Sequence, residues 1–223
     1  ILLLAFCGDN SDQLDQPEAT SSDTSEVAVS TEEESTTTTE IVQLDSFEGT
    51  VYEILKDKSE VGYLAPKQFL NSGLETVEGL TSEIIGEFTL ELSECDQSDS
   101  CLYITNLLIR VDISTLKSNN SIRDSAIKSQ WLESKLFPEA VFTIDELVIP
   151  NKNFDSKVED TIVGKLSIRE IELDTPFSIT ASLVGDEIRI LGFTEIDTTW
   201  FGFDAPTKFN AWEVLNPIGL TVD

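Results

Sequence analysis

The sequence predicts an all-β domain, an antiparallel barrel or sandwich carrying one short helix and preceded by a disordered acidic stalk. Three observations carry that prediction. Apolar and polar residues alternate through many stretches beyond residue 46. These stretches follow one another closely, mostly across short polar turns, as in antiparallel all-β domains. Residues 8–45, by contrast, hold eleven Asp or Glu, no Lys or Arg, and Ser/Thr runs such as Ser35-Thr36-Thr37-Thr38-Thr39.

In chain order, the stalk comes first. Its composition buries too little apolar surface to offset the entropy of ordering. Its like charges extend it, so residues 8–45 read as a solvated spacer, with an acidic interaction tail as the alternative. From residue 46 the domain begins. Strands are expected at 50–55, 61–65 and 84–92. In 102–113 the apolar positions run 102, 104, then 107, 109, 111 and 113, and the change of phase near Thr105-Asn106 predicts a bulge. Residues 121–134 break the period of two. Ile122, Ile127 and Trp131 fall at steps of five and four, bounded by Ser121 in front and Pro138 behind, which predicts a short helix over the barrel or its mouth. A strand follows at 141–149. Ile162, Leu166 and Ile168 then alternate with Val163, Lys165, Ser167 and Arg169, with Gly164 in the apolar register. Phe177, Ile179, Ala181 and Leu183 alternate with Ser178, Thr180 and Ser182. That is the mark of strands with one wet face, which places Lys165 and Arg169 in solvent. Strands at 188–196 and 219–222 complete the set.

The first seven residues carry their own signal. Ile1–Phe6 is an apolar run ending at Cys7. Six residues cannot span a bilayer, which takes about 20. The run reads as the remnant of a secretory signal segment, and with no Met in the chain its first residue is expected to lie downstream of the translation start. Leu4-Ala5-Phe6-Cys7 resembles the lipobox of bacterial lipoproteins, in which the cysteine is lipidated, although Phe6 stands where a small residue is usual. A buried strand that happens to contain a cysteine is the alternative. Cys95 and Cys101 bracket the polar tip Asp96-Gln97-Ser98-Asp99-Ser100 between two apolar runs. They are placed to close a hairpin as a disulfide, which implies an oxidising compartment. The odd cysteine, Cys7, is the one that lipidation accounts for. Two cysteines without histidine do not make a four-ligand zinc site, and the acids between them lack the glycine and terminal Glu of a calcium loop.

Charge and composition exclude whole classes. The 223 residues hold 42 acids against 14 bases, for a formal charge of −28, and no histidine. Phosphate backbones are repelled, so nucleic-acid binding is excluded. Histidine-dependent triads and the common zinc sites are excluded too. A paired-carboxylate hydrolase remains conceivable, but no pair stands out from the general excess of acids. The expectation is a protein that is not an enzyme, with no cofactor and no metal.

One block carries a resemblance. Val111-Asp112-Ile113-Ser114-Thr115-Leu116 leads to Arg123-Asp124, then Ile127, Ser129, Trp131-Leu132, Phe137-Pro138 and Val141-Phe142. Gly164-Lys165-Leu166-Ser167-Ile168-Arg169 forms a second block and Phe201-Gly202-Phe203 a third. Upstream, Val77-Glu78-Gly79-Leu80-Thr81, Ile85-Gly86 and Phe88 fit looser Gly-containing strands. In order and spacing, from about residue 52 to 223, the chain resembles the YceI-like family. These are bacterial extracytoplasmic domains with a lipocalin-like barrel that bind polyisoprenoid or related amphiphilic lipids. Two departures stand out: Ala126 or Ile127 replaces the histidine common in the helix motif, and Thr198 occupies the position where many members carry arginine.

The resemblance implies a lipocalin-like barrel of about eight strands over 46–223 that sequesters one amphiphilic, isoprenoid-like or fatty-acyl ligand without chemistry. It would be tethered to a membrane of the cell envelope through Cys7. Phe69, Phe88, Phe142, Phe177, Phe193, Trp200 and Phe201 are the candidates to line an apolar tunnel. Trp131, Leu132 and Phe137 are candidates for its gate, and Arg123 for contact with a polar head or for tying the helix to the barrel. Asp124, near a helix start, reads as a cap or dipole partner. The alternative function is a structural or interaction lipoprotein with a self-packed barrel and no ligand, since a barrel of this size holds one small ligand or is filled by its own side chains. An interior void of several hundred Å³ separates the two. An exposed edge strand leaves a homodimer open.

Overall fold

The computed structural model describes residues 49–223 except Gln97, 151–156 and Phe209. The segments expected to be a signal remnant with Cys7 (1–7) and an acidic linker (8–45) lie outside the described residues.

The alternating stretches form strands β1 (Thr50–Glu53), β2 (Val61–Phe69), β3 (Ser72–Thr81), β4 (Ile84–Cys95), β5 (Ser98–Asp112), β6 (Glu139–Pro150), β7 (Val158–Ile168), β8 (Ile171–Val184), β9 (Glu187–Ile196), β10 (Thr207–Lys208), β11 (Trp212–Val214) and β12 (Ile218–Val222). All the pairings are antiparallel. The sheet runs β1-β4-β5-β6-β7-β8-β9-β12-β2-β11-β10, with β3 on the other edge of β2. β12 and β11 share one edge of β2, at Val61–Leu64 and Lys67–Phe69 respectively. The fold is therefore all-β and barrel-like, with twelve strands where about eight were expected. The additions are mostly edge pieces: β1, β10 and β11 have two to four residues each.

No ladder joins β3 to β4 among the described residues. There the chain itself passes from Thr81 to Ile84, and local bonds hold the seam. Lys117 bridges Leu80 through two backbone hydrogen bonds of 2.9 Å, and the Asp112 N–H donates to the Glu83 carbonyl at 2.9 Å. Ile84, Val111, Ile113 and Leu116 bury themselves beneath this junction.

The phase change near Asn106 is a bulge. Glu87 pairs with Leu108 but Thr89 with Thr105, so two residues of β5 oppose one of β4, and Asn106 takes a left-handed φ of 56°. The bulge keeps Ile104 and Leu107 on one face although their spacing is odd. Cys95 and Cys101 are disulfide-bonded beside the β4–β5 hairpin, with Cα atoms 5.8 Å apart.

The helix begins where expected and ends sooner. Asn120 caps it, its side-chain oxygen accepting from the N–H groups of Ile122 and Arg123 at 3.1 and 3.0 Å. Helix α1 covers Ser121–Ala126, then widens into a single π-type turn over Ile127–Trp131, where the Leu132 N–H reaches back to the Ile127 carbonyl. Within this stretch the Ser129 hydroxyl donates to the Ser125 carbonyl at 2.8 Å, a side-chain bond that competes with regular helix.

Candidate functional site

The inward faces of β2, β4–β9 and β12 surround a cavity of about 730 Å³. Its walls are made by residues two apart on each strand. Examples are Ile104 before the bulge and Leu107, Ile109 and Val111 after it on β5, Ile162, Leu166 and Ile168 on β7, and Phe177, Ile179 and Ala181 on β8. Close approach is built in at two glycines. A Cβ on Gly164 would stand 2.3 Å from the Phe142 ring, and one on Gly79, directly opposite Tyr63 in register, 2.3 Å from the Tyr63 ring. Both aromatics lie over bare backbone.

The registers Asp112↔Glu139, Ala140↔Ile168 and Ile196↔Ile218 place those strand ends together, at the end of the barrel that carries α1. There the wall changes character. Arg123 of α1, Lys67 of β2 and Lys208 of β10 join Trp131, Leu132, Phe203 and Trp212 in lining the cavity. The Lys67 ammonium rests 4.1 Å from the Trp212 ring centroid and 4.6 Å from that of Phe69. Burial, followed by the positive charge of Arg123, holds Lys67 below the ordinary lysine range, against an opposing pull from Glu75. Burial pushes the Tyr63 phenol up to about 12, with Arg123 pulling it down and Asp124 up. Arg123 is oriented by neutral acceptors. Its Nε and Nη2 donate to Ser118 Oγ at 3.0 and 2.7 Å, and Nη2 donates to Asn119 Oδ1 at 2.6 Å. Asp124 accepts from the Ser118 N–H at 3.0 Å and from its hydroxyl. It therefore pins the loop before α1, and Asn120 does the capping.

Of the residues expected to line the tunnel or gate it, Phe88, Phe142, Phe177, Trp131 and Leu132 do line the cavity, as does Arg123. Five do not. Phe193 points outward and is 43 % exposed, because Ile188, Ile190 and Gly192 set the inward parity of β9. Trp200 is 58 % exposed on a 3₁₀ turn that has no strand period, and its neighbour Phe201 is fully buried in the core outside the lining. Phe69 lies beside Lys67 but outside the lining. Phe137 packs under the Arg169 guanidinium, 5.8 Å away.

Arg169 itself departs from expectation. Lys165 is exposed and paired with Glu172 and Asp174, but the Arg169 side chain is only 19 % exposed. Ile168 pairs with Ile171, so Arg169 and Glu170 form a two-residue turn with φ of 52° and 63°, the positive pair of a type I′ hairpin. The turn takes Arg169 out of the strand's alternation. It ion-pairs with Glu133, donates to the Gly202 carbonyl at 3.4 Å and stands 5.4 Å from the Phe203 ring. The segment after Trp131 is thereby tied to the β7–β8 turn and to the chain just past the 3₁₀ turn that follows β9.

Sequence reasoning missed Tyr63 and Lys67. Their spacing of two, with Ala65 between, was the available signal, but a lysine at the end of a strand reads as solvated.

Antiparallel strands β2, β4–β9 and β12 around a largely apolar void define a lipocalin-like, barrel-like all-β domain. The chain belongs to the YceI-like domain family, whose model matches residues 52–223. Among solved structures it is similar to a polyisoprenoid binding domain from Saccharophagus degradans implicated in plant cell wall breakdown, with 8 % identity and a TM-score of 0.52 over 78 % of this chain and 97 % of that one. BcnA of Burkholderia cenocepacia aligns with 13 % identity and a TM-score of 0.49 over 75 % of this chain and 98 % of that one. A YceI protein of Campylobacter jejuni aligns with 14 % identity and a TM-score of 0.40 over 60 % and 80 %. No curated protein sequence matches the chain.

Proposed function

We propose that the domain sequesters one amphiphilic lipid, isoprenoid-like or fatty-acyl, in the barrel cavity and performs no chemistry on it. The observation that carries this reading is the void itself. At the roughly 30 Å³ that a water-sized group takes in a liquid, 730 Å³ accommodates about 24 heavy atoms, the size of one lipid chain. Each buried methylene contributes about 0.8 kcal/mol, so length and dryness supply the affinity. The Saccharophagus degradans domain, which shares the fold, is a polyisoprenoid binding domain, which supports the same ligand class here. A self-packed barrel, the competing reading, has no use for such a void. Extracytoplasmic location and a lipid anchor at Cys7 belong to the same proposal. The Cys95–Cys101 disulfide supports an oxidising compartment.

The test is mass spectrometry of an organic extract of the purified chain, expressed into an oxidising compartment. Stoichiometric recovery of a long-chain amphiphile is the expected result. An empty protein that also takes up neither isoprenoid nor fatty-acyl probes would overturn the carrier reading.

A further inference from the structure

The barrel wall is split between β6 and β7. β6 runs to Pro150 and β7 starts at Val158, yet the ladder between them joins only residues 140–143 to 165–168. Among the described residues no ladder joins 144–150 to 158–164. Each side of the split is nevertheless intact. β6 keeps pairing with β5 as far as Pro150↔Cys101, and β7 with β8 as far as Val158↔Ala181.

The bulge accounts for the parting. Asn106, with its left-handed φ of 56°, and Asp145 drop out of the β5–β6 ladder together. On both strands the lining changes phase at that level, from Ile104 to Leu107 on β5 and from Phe142 to Leu147 on β6. A bulge bends and twists the strand that carries it, so the β5–β6 pair turns as a unit just past Thr143, where β6 leaves β7. What borders the split is apolar. Phe142 and Ile144 close its inner end over Gly164. Leu147 and Ile149 on one side, and Val158 and Ile162 on the other, line the cavity. Leu183, two residues past Ala181, also lines the cavity although it is 67 % exposed, so the void meets solvent at the end into which the split runs.

The other ways out are fastened. At the α1 end, Asp124 holds the loop before the helix through Ser118, and Arg169 ties the segment after Trp131 to Glu133 and the Gly202 carbonyl. The seam between β3 and β4 is bridged by the Lys117–Leu80 and Asp112–Glu83 bonds, and β1 covers the edge of β4 at 87–90.

We propose that the lipid enters and leaves the cavity through the split between β6 and β7, not past α1, an inference that rests on the lipid-binding reading above. Parting two strand edges that share no ladder breaks no hydrogen bond between them, whereas lifting the α1 segment breaks charge-assisted bonds, which are the stronger kind. A hydrocarbon tail on this route slides between apolar side chains and meets no charge in the wall on its way. Trp131 and Leu132 are then fixed wall, and the moving part of the barrel is its side.

The experiment uses the full chain with Cys7→Ser, in which Cys95 and Cys101 are bonded to each other, so that one added cysteine is the single free thiol. Val158→Cys puts that thiol at the split, and Ser125→Cys puts it on α1 outside the lining. Each thiol is coupled to a bulky polyethylene-glycol maleimide, before loading to follow uptake and after loading to follow release, with mass spectrometry verifying the coupling. The probe is parinaric acid, a fluorescent fatty acid, read by energy transfer from Trp131 and Trp212 in the cavity wall. Coupling at Val158 should slow uptake and release alike by about tenfold and leave the equilibrium affinity unchanged. Coupling at Ser125 should change neither rate, and neither should Arg169→Met, which unties the segment after Trp131. Leu147→Cys, on the opposite strand, repeats the test should Val158→Cys fail to fold. Unchanged rates with the split blocked overturn the inference. So does a weaker affinity with release unslowed, which would mean that the adduct merely fills the cavity. Faster exchange in Arg169→Met would put the entrance at α1 instead. If the uncoupled chain takes up no probe, the lipid-binding reading fails and the entrance falls with it.

Discussion

Filling the void from one wall tests whether it is working space. Gly192 lies on the inward face of β9, opposite Ile179 and Val222 in register. A Cβ added there meets Val222 Cβ at 3.5 Å, then Phe177 Cδ1 and Val222 Cγ2 at 3.8 Å, all ordinary contacts, and its φ lies outside the left-handed region. Gly192→Leu therefore projects four carbons into open space. At about 0.8 kcal/mol per group this contributes about 3 kcal/mol. Freezing the new side chain costs about 0.5–1 kcal/mol, and replacing glycine in a strand returns about 0.5 kcal/mol. The net gain of about 2.5 kcal/mol corresponds to a rise in Tm of about 5–10 °C for the lipid-free protein. The same leucine takes about 120 Å³, at roughly 30 Å³ per group, out of the 730 Å³ available. A ligand that fills the cavity loses contacts worth about 3 kcal/mol, roughly 100-fold in affinity. Thermal melting and a ligand titration on the same preparation read both effects. A fall in Tm, as overpacking of a closed core produces at about 1–3 kcal/mol, would refute the open cavity. A rise in Tm with unchanged affinity would show that the ligand tail lies elsewhere. Phe193→Ser, one residue away but facing outward, should leave affinity unchanged.

Three further outcomes are expected. Replacing Cys95 and Cys101 together by alanine should cost about 2 kcal/mol by the chain-entropy estimate for so short a loop, read as a lower urea midpoint, and an unchanged midpoint would contradict it. Arg169→Met removes the bond to Glu133 and should cost about 2 kcal/mol, typical of a bond to a charged group. A loss below about 0.5 kcal/mol would mean the site behaves as ordinary surface. Tyr63 links stability to alkaline pH. Its pKa in the folded protein is raised from 10.0 to about 12, so its contribution is complete below pH 10 and is lost as pH rises towards 12. After allowance for its partial exposure, the loss is about 1–2 kcal/mol. Urea melts of the wild type and Tyr63→Phe at pH 9 and 11.5 should diverge over that interval, and parallel curves would rule the linkage out.

How much of this was legible in the sequence divides along the strands. β7 and β8 alternate cleanly, and Ile162, Leu166, Ile168, Phe177 and Ile179 face the cavity as their spacing requires. The bulge at Asn106 was legible because it shifts the phase of an otherwise regular run. β9 was not, since Ile188, Ile190, Leu191 and Phe193 are apolar in both registers and only pairing with β8 and β12 decides which set turns inward. Phe193 was chosen for its residue type where parity should have decided. Trp200 and Phe201 lie on a turn with no period to read, and one residue separates half exposure from full burial. Arg169 lost its expected solvent because two positive φ angles end the alternation one residue early.

The cationic end belongs to a different class of feature. Lys67 comes from β2, Arg123 from α1 and Lys208 from β10, so no local pattern contains more than one of them. Lys67 and Lys208 alone each read as a solvated base in a chain with acids to spare, whereas Arg123 was already a candidate for contact with a polar head or for tying the helix to the barrel. What brings them together is the cavity lining they share, which becomes visible only when the barrel has closed. Alternation thus reveals where an apolar wall runs, because it is a property of one strand. The charges that interrupt the wall are a property of its closure, when β2 meets β12 and α1 folds over the end. That is why the apolar lining could be anticipated from residues such as Phe142 and Phe177, whereas Tyr63 and Lys67 required the fold.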